Sequence, residues 1–260
     1  MSATQTVAFI HGCFVSRHCW DRWVRRFESR GYTCVPIAYP GREGSVAELK
    51  AAPDAPVLRD LTIEAVIDHH VKVLQALPEK PIVIGHSFGG LLTQLMVQRD
   101  LAAAAVAIDS VPPSNVKSFA WSFLKSLWPV VNPLVPVTRS YVMPLDHFRY
   151  TFGNNLTPEQ LRAAYDAEVV PESRRLARGG LSSAARIDFT RRHAPLLMIA
   201  GEVDHIMPAS LNRKNFERYE KSLSKTDFKL FPGRSHYSVI GGEGWEEVAD
   251  YALAWAERMQ

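Results

Sequence analysis

The chain has 260 residues, of which 47% are hydrophobic and 22% are charged, and its formal net charge is +3. A chain of this length and composition can form one large domain around a buried core. The small excess of Lys and Arg is spread along the sequence without a basic run, which argues against nucleic-acid binding.

Short apolar segments alternate with longer amphipathic ones through most of the chain. This alternation is typical of an α/β fold, a mostly parallel sheet flanked by helices. Strands are predicted at residues 6–10, 32–37, 81–85, 104–109, 195–200 and 227–231. Helices are predicted at residues 20–29, 61–77, 89–99 and 245–259. The stretch 38–59 is rich in Pro and Gly and is expected to be a loop.

The alternation breaks between residues 112 and 191. This stretch is dense in aromatic residues, and four prolines are expected to divide its first half into short pieces: Pro129, Pro133, Pro136 and Pro144. A helical pattern follows Thr157. Because strands resume after the stretch, we predict that 112–191 is a lid inserted into a core of residues 1–111 and 192–260. A separate second domain fits this pattern less well.

The sequence Gly-His-Ser-Phe-Gly at residues 85–89 places Ser87 between a predicted buried strand and a predicted helix. A G-x-S-x-G sequence in this context forms a sharp turn that presents a serine nucleophile at the edge of a sheet. The helix that follows favours negative charge at its N-terminus. We therefore predict that Ser87 is the nucleophile.

Four segments together resemble the α/β-hydrolase superfamily over nearly the whole chain. They are His11-Gly12, residues 85–89, residues 201–208 and residues 233–236. With Cys19-Trp20, they look like the branch that contains plant-type esterases and hydroxynitrile lyases. The resemblance implies the chain order nucleophile, acid, base, and a lid after the strand that follows the nucleophile helix. The family's usual N-terminal hairpin has no room before residue 6, so we expect about six strands.

A serine hydroxyl needs a base within hydrogen-bond reach, and histidine suits this role. His236 follows the last predicted strand and precedes the last helix, which is where the family places its base. Asp204 is predicted to orient His236. Asp109 and Glu202 remain alternatives for the acid, because Asp109 ends the strand after the nucleophile helix and Glu202 lies two residues before Asp204.

The fold also implies two backbone donors for an oxyanion. One is the N–H of Phe88, directly after the nucleophile. The other is the N–H of Cys13 or, by a slip of one residue, of Phe14. We expect the Cys13 side chain to line the pocket rather than to act as a catalytic thiol, because no base for it is evident in the sequence. The residues predicted to line the substrate pocket are His11, Gly12, Phe14, Trp128 and Tyr237.

Three cysteines are too few for a disulfide framework, and no His/Cys cluster has metal-ligand spacing. We expect no metal and no cofactor. The first six residues lack the pattern of a signal peptide, and no apolar stretch approaches the ~20 residues of a membrane span. These features predict a cytoplasmic monomer or dimer with a small-molecule substrate and no membrane partner.

The combined interpretation is a serine hydrolase that cleaves a small to medium, partly apolar carboxylic ester or lactone through an acyl-enzyme. A carbon–carbon bond hydrolase, a hydroxynitrile-lyase-like enzyme and a non-catalytic ligand receptor remain alternatives, since one fold supports many functions. In the lyases a lysine follows the catalytic histidine and a threonine follows the first histidine. Tyr237 and Gly12 occupy those positions here, which counts against lyase chemistry.

Overall fold

A computed structural model describes residues 4–260. Six strands form the main sheet, and two strands of two residues each form a second, antiparallel sheet. The strands are β1 Thr6–Ile10, β2 Thr33–Ile37, β3 Ile82–His86, β4 Ala104–Ile108, β5 Ser140–Tyr141, β6 Glu172–Ser173, β7 Leu196–Gly201 and β8 Thr226–Phe231.

The helices are α1 Asp21–Glu28, α2 Val46–Ala51, α3 Pro56–Asp60, α4 Ile63–Gln75, α5 Phe88–Gln98, α6 Trp121–Val131, α7 Leu145–Thr151, α8 Pro158–Glu168, α9 Arg174–Gly179, α10 Ala209–Arg218 and α11 Trp245–Arg258. Short 3-10 turns occur at Arg17–Trp20, Ser183–Ala185 and Tyr219–Lys221. No helix in the described range is long and apolar enough to cross a membrane.

The main sheet has the strand order β2-β1-β3-β4-β7-β8, and every neighbouring pair is parallel. Alternate side chains of its central strands enter two different apolar cores. Ala8 and Ile10 of β1 pack on the side of α4 and α5, whereas Val7 and Phe9 pack on the side of α1 and α11. Burial on both faces is typical of parallel sheets, because crossover helices cover both. The prediction of about six mostly parallel strands flanked by helices is confirmed.

The loop predicted at 38–59 is wrong in part, because it contains α2 and α3. The Ser45 hydroxyl accepts from the Glu48 N–H and the Glu48 carboxylate accepts from the Ser45 N–H, so a capping box begins α2. Pro56 occupies the first turn of α3, where its missing N–H costs nothing. Helix α10 was also not predicted.

Between β4 and β7 the chain forms α6 to α9 and the small β5–β6 sheet. Pro129 lies inside the last turn of α6 rather than ending it, so it does not cut the helix as predicted. Helix α6 ends at Val131, shortly before Pro133, because a residue that precedes proline is disfavoured in helical conformation. Several apolar residues of this stretch join the core on the α5 side of the sheet, among them Phe123, Val130 and Phe148.

Candidate active site

The predicted site residues follow the carboxyl ends of neighbouring strands. His11 follows β1, Ser87 follows β3, Asp109 follows β4 and Asp204 comes shortly after β7. Parallel strands end at one edge of the sheet, and ligands of open α/β sheets bind at that edge. The topology therefore brings together residues that are up to two hundred positions apart in sequence.

Ser87 occupies the turn between β3 and α5 with φ 58° and ψ −119°. A non-glycine residue with positive φ is strained and marks a position that the surrounding structure fixes. The Ser87 N–H donates to the Ile108 carbonyl (2.9 Å), and the Ser87 carbonyl accepts from the Val111 N–H (2.9 Å). These bonds hold the strained turn against the end of β4.

The glycines around Ser87 are required by close approach of the backbone. A Cβ at Gly85 would collide with the carbonyl oxygen of Gly89, and one at Gly89 would collide with the carbonyl oxygen of Ile10. A Cβ at Gly12 would lie 2.8 Å from the Cβ of Ser87. The turn is therefore packed directly onto the end of β1, and larger residues at these positions do not fit.

His236 and Asp204 form a buried pair. His236 Nδ1 lies 2.6 Å from Asp204 Oδ2, and both side chains are fully buried. The other Asp204 oxygen, Oδ1, accepts from the N–H groups of Ile206 and Met207, each at 2.8 Å. This arrangement fixes the ring of His236 and directs Nε2 away from the carboxylate.

The two alternative acids make different contacts. Glu202 accepts from the Gly233 N–H (2.9 Å) and does not bond to His236. Asp109 Oδ1 accepts from the Gly201 N–H (2.7 Å). Burial, and then the negative charge of Asp204, raise the pKa of Asp109 well above its usual range. Of the three acids, Asp204 is therefore the one that bonds to His236.

His236 packs between two other rings. Its ring centroid lies 4.4 Å from that of His86 and 4.7 Å from that of Phe152. Burial lowers the pKa of His86 well below its ordinary value, so His86 is neutral. Nitrogen or carboxylate atoms of His86, Asp109 and His236 lie within 4.8 Å of one another, although His236 Nδ1 is already bonded to Asp204.

The Ser87 hydroxyl and His236 Nε2 do not bond to each other. Within residues 4–260, His236 Nε2 has no hydrogen-bond partner. The two residues are linked through Phe152, whose ring contacts that of His236 and which lines the same cavity as Ser87. Hydrogen bonds between a nucleophile and its base are commonly long in the absence of substrate and tighten in the complex.

The backbone donors differ in whether they are already engaged. The Phe14 N–H donates to Glu172 Oε2 (3.1 Å), so it is not available to a substrate. In the part of the chain that the structure describes, the N–H groups of Cys13 and Phe88 have no acceptor. Of the two predicted positions after His11-Gly12, Cys13 is therefore the one with a free donor.

The Glu172 side chain anchors this loop through a buried ion pair. Its Oε1 accepts from Arg42 Nη1 at 2.7 Å, and both side chains are almost fully buried. The Phe14 carbonyl accepts from the Val170 N–H (2.8 Å), and Arg42 Nη2 donates to the Pro171 carbonyl (3.0 Å). Sequence reasoning missed this pair, because Arg42 and Glu172 are 130 positions apart and neither lies in a motif.

Cys13 does not have the properties of a reactive thiol. Burial, and then the charge of Glu172, raise the pKa of the Cys13 thiol well above its usual range. The thiolate is the nucleophilic form of cysteine, and a raised pKa removes it. Cys13 is among the residues that line the cavity beside Ser87.

An apolar cavity of about 60 Å³ lies beside Ser87. At roughly 10–15 Å³ for one water, it has room for about four to six water-sized groups. Among the described residues that line it, only Ser87 has a side chain with an oxygen atom. The others are Cys13, Phe14, Phe88, Val111, Pro112, Phe123, Leu127, Val130, Val131, Phe152, Ala177, Gly180, Leu181, Ile206 and Met207.

Of the predicted pocket residues, only Phe14 lines this cavity. His11 is buried beneath it, where its ring stacks on Tyr39 at 3.9 Å, and Gly12 packs against Ser87. The Tyr237 hydroxyl donates to Glu168 Oε1 (3.1 Å) in a neighbouring cleft. Trp128 lies on the surface, 57% exposed. These four residues therefore lie outside this cavity, which is lined on the side of α6 and α9 by other side chains.

Comparison with known proteins identifies the family of the chain. A sequence model of the Alpha/beta hydrolase family matches residues 7–251. No curated protein matches the sequence significantly.

Three solved structures with similar folds are each matched over nearly their whole length. Polyneuridine aldehyde esterase has a TM-score of 0.69 at 16% identity, with 98% of this chain and 100% of that chain covered. A methylesterase from Arabidopsis has 0.68 at 14%, with 97% and 99% covered. A monoacylglycerol lipase from Paleococcus ferrophilus has 0.69 at 19%, with 98% and 95% covered. At these identities the likeness establishes the fold alone.

Proposed function

The chain belongs to the alpha/beta hydrolase family, and on that premise we propose that it is a serine hydrolase that cleaves a small to medium, partly apolar carboxylic ester or lactone. The observation that carries the proposal is the position of Ser87. Among the described residues that line the apolar cavity, only Ser87 has a side chain with an oxygen atom, and its backbone is strained at the start of a helix. Esterases among the proteins with the same fold are consistent with this reaction class.

In the proposed mechanism the Ser87 hydroxyl attacks the substrate carbonyl carbon while His236 Nε2 takes its proton. Asp204, bonded to Nδ1, stabilises the imidazolium that forms. The oxyanion accepts from the free N–H groups of Cys13 and Phe88. One such donor contributes about 2.7–4 kcal/mol to transition-state stabilisation.

Collapse of the tetrahedral intermediate breaks the bond to the leaving alkoxide, and His236 returns the proton to that oxygen. The acyl group then remains on Ser87 Oγ as an ester. A water molecule attacks this ester while His236 Nε2 takes a proton from it, and the carboxylic acid leaves as Ser87 recovers its hydrogen. In a lactone the alcohol and the acid remain one molecule.

We take residues 112–191 as a lid over this site. Residues of α6, together with Ala177, Gly180 and Leu181 of the α9 region, supply one wall of the cavity, and residues that follow β1, β3 and β4 supply the other. The lid would exclude water from the oxyanion, which strengthens its hydrogen bonds. Its apolar wall favours an apolar acyl group.

The test is covalent labelling and turnover with the purified protein. We expect a fluorophosphonate to label Ser87, located by peptide mass spectrometry, and Ser87→Ala to lower kcat/KM for p-nitrophenyl butyrate by about 10⁴-fold or more. The matched control is Ser122→Ala, which changes a different serine, one that lies on α6. This variant should keep the turnover of the parent protein. Labelling at another residue, or full activity of Ser87→Ala, would refute the proposal.

The cavity volume also predicts a substrate range. With room for only about four to six water-sized groups, acetyl and butyryl esters should be better substrates than octanoyl esters. A series of p-nitrophenyl esters of increasing chain length measures this preference. A rising kcat/KM through octanoyl would show that the cavity of this structure is not the form that binds substrate.

A further inference from the structure

The exposed large hydrophobic side chains are concentrated in one part of the molecule. Nine such residues are found in residues 4–260, and seven of them lie between 112 and 191. Phe119 is 83% exposed and Trp121 75%. A single exposed hydrophobic residue is ordinary, but a cluster of them marks an interaction surface.

Helix α6 is apolar on two opposite sides. Phe123, Leu127, Val130 and Val131 face the cavity beside Ser87. Trp121, Leu124, Lys125 and Trp128, which we call the outer face of α6, line a shallow surface depression with Pro129. A helix that is apolar all round is normally buried on all sides. Here one side is covered by the protein and the outer face is not.

The charged residues in the segment that contains the outer face all have one sign. From Val111 to Leu145 the sequence contains no Asp or Glu, and its three charged side chains are Lys117, Lys125 and Arg139. All three residues are exposed. The first acidic residue beyond them, Asp146, is paired with Arg149 (2.8 Å). Tryptophan and leucine beside cationic side chains match the boundary between lipid headgroups and acyl chains, where basic residues are attracted to anionic headgroups.

The same segment contains the exposed end of the cavity. Leu181 lines the cavity beside Ser87 and is nevertheless 64% exposed. The cavity that Leu181 shares with the inner side of α6 therefore reaches the surface at Leu181. An apolar substrate could enter here without crossing a wide polar surface.

We propose that the outer face of α6 docks on a negatively charged lipid surface. The two tryptophans and Leu124 enter the headgroup region, while Lys125 contacts anionic headgroups. Docking itself does not require turnover, but delivery of an apolar ester from the lipid to Ser87 rests on the proposed function. The sequence expectation of no membrane partner came from the lack of a membrane-spanning stretch, which does not bear on a surface contact.

The test is binding of the full chain to vesicles. The probes are vesicles of phosphatidylcholine alone and of phosphatidylcholine mixed with phosphatidylglycerol, with binding measured by co-sedimentation and by the shift of tryptophan fluorescence. We expect the mixed vesicles to bind the protein more tightly. Trp121→Ser combined with Leu124→Ser should weaken binding about tenfold or more, because both side chains lose their burial in lipid. Lys125→Glu should also weaken it.

Matched control residues lie outside residues 112–191. Leu223 is 85% exposed outside residues 112–191, and Lys221 is an exposed lysine next to it. Leu223→Ser and Lys221→Glu should bind vesicles as the parent does. Ser87→Ala should bind as well, since it changes only the reaction. Hydrolysis of p-nitrophenyl acetate without vesicles should be unchanged in the Trp121/Leu124 double variant.

Several outcomes would overturn the docking proposal. They are no binding to the mixed vesicles, equal binding to both kinds of vesicle, or an equal loss in Leu223→Ser. A dimer in sedimentation velocity that the Trp121/Leu124 double variant abolishes, without vesicle binding, would assign the outer face to a second copy instead. If vesicles bind but Ser87 is not labelled by the fluorophosphonate, the proposed function fails and the docking stands.

Discussion

The two halves of the candidate site are fixed by different physics. Around Ser87 the backbone is held by close packing, with Gly85 and Gly89 at positions where a Cβ would collide with a carbonyl. Around His236 the side chains are held by hydrogen bonds between buried polar groups, with Asp204 accepting three. The first half depends on shape and the second on charge and protonation. They should therefore respond differently to substitution and to pH.

Residues with strained backbone are concentrated in the candidate site. Four non-glycine residues in the described chain have positive φ, and three of them belong to the site: Phe14 (70°), Ser87 (58°) and Asp109 (41°). Each directs a backbone or side-chain group toward the cavity or toward Asp204. Strain of this kind persists only where the surrounding packing imposes it.

The largest effect should come from exchanging the acid on the polar half. Asp204→Asn is expected to lower kcat by about 10⁴, because an amide cannot stabilise the imidazolium or keep its tautomer. Steady-state kinetics on p-nitrophenyl butyrate measure the loss. Asp109→Asn is the matched control, since its amide oxygen still accepts from the Gly201 N–H and only the second carboxyl oxygen is replaced, by NH2. It should stay within about threefold of the parent. The reverse ranking would make Asp109 the acid.

Crowding the packed half should cost stability instead. Gly89→Ala brings a Cβ onto the Ile10 carbonyl, which belongs to the backbone of β1 and cannot give way. We expect the free energy of unfolding to fall by about 4 kcal/mol, as for severe overpacking. Urea denaturation measures it. Gly44→Ala, where the nearest atoms belong to the flexible Glu48 side chain, should change stability by less than about 1 kcal/mol.

The Arg42–Glu172 ion pair holds the loop that contains Cys13 and Phe14, so it should affect both stability and activity. In Glu172→Gln the Phe14 N–H keeps an acceptor, but Arg42 is left buried without a counter-charge. Loss of one partner of such a pair is expected to cost about 3 kcal/mol of stability. It should also lower kcat, because the Cys13 N–H belongs to the loop that Glu172 holds at Phe14. Denaturation and kinetics together measure both effects, and Glu202→Gln, at an exposed carboxylate, is the control. Equal losses in the two variants would contradict the anchoring role.

The smallest effect concerns pH, next to the polar half. Burial raises the pKa of Glu168 from 4.5 to about 7, although its bond to the Tyr237 hydroxyl opposes this. The folded protein therefore keeps this proton while the unfolded chain loses it, so stability falls as pH rises from about 4.5 to about 7 and then levels off.

The Glu168→Gln variant isolates this contribution. It should flatten the decrease, which we expect to be about 2 kcal/mol. Denaturation midpoints at about pH 5 and about pH 8 test the sign. A parent protein that becomes more stable over this range through Glu168 would show that the carboxyl is ionised in the folded state.

These comparisons also explain what could be predicted from the sequence. The turn at Ser87 is encoded within five consecutive residues, and the central strands are continuous apolar runs. Both signals are local, and both elements occur where predicted, with the strand β3 and the helix α5 on either side of Ser87. The catalytic roles of Ser87, Asp204 and His236 remain predictions until the variants are measured.

Long-range polar contacts could not be predicted in the same way. The Arg42–Glu172 pair and the approach of Asp109 to Asp204 depend on how distant segments meet, and no spacing rule announces them. The side of α6 on which Trp128 lies could not be predicted for a related reason. An aromatic residue in an amphipathic helix fits either side, and only the packing of α6 shows that Trp128 faces outward.

The contacts of α6 differ between its two ends. Arg174 and Arg178 donate to the carbonyls of Val130 and Val135, at and beyond its C-terminus, and Glu172 ties the neighbouring strand to Phe14. Among the described residues, no side chain caps its N-terminus, near the exposed Phe119 and Trp121. The loop at Phe14 is therefore held by contacts made elsewhere than at the end of α6 that carries the exposed aromatic residues.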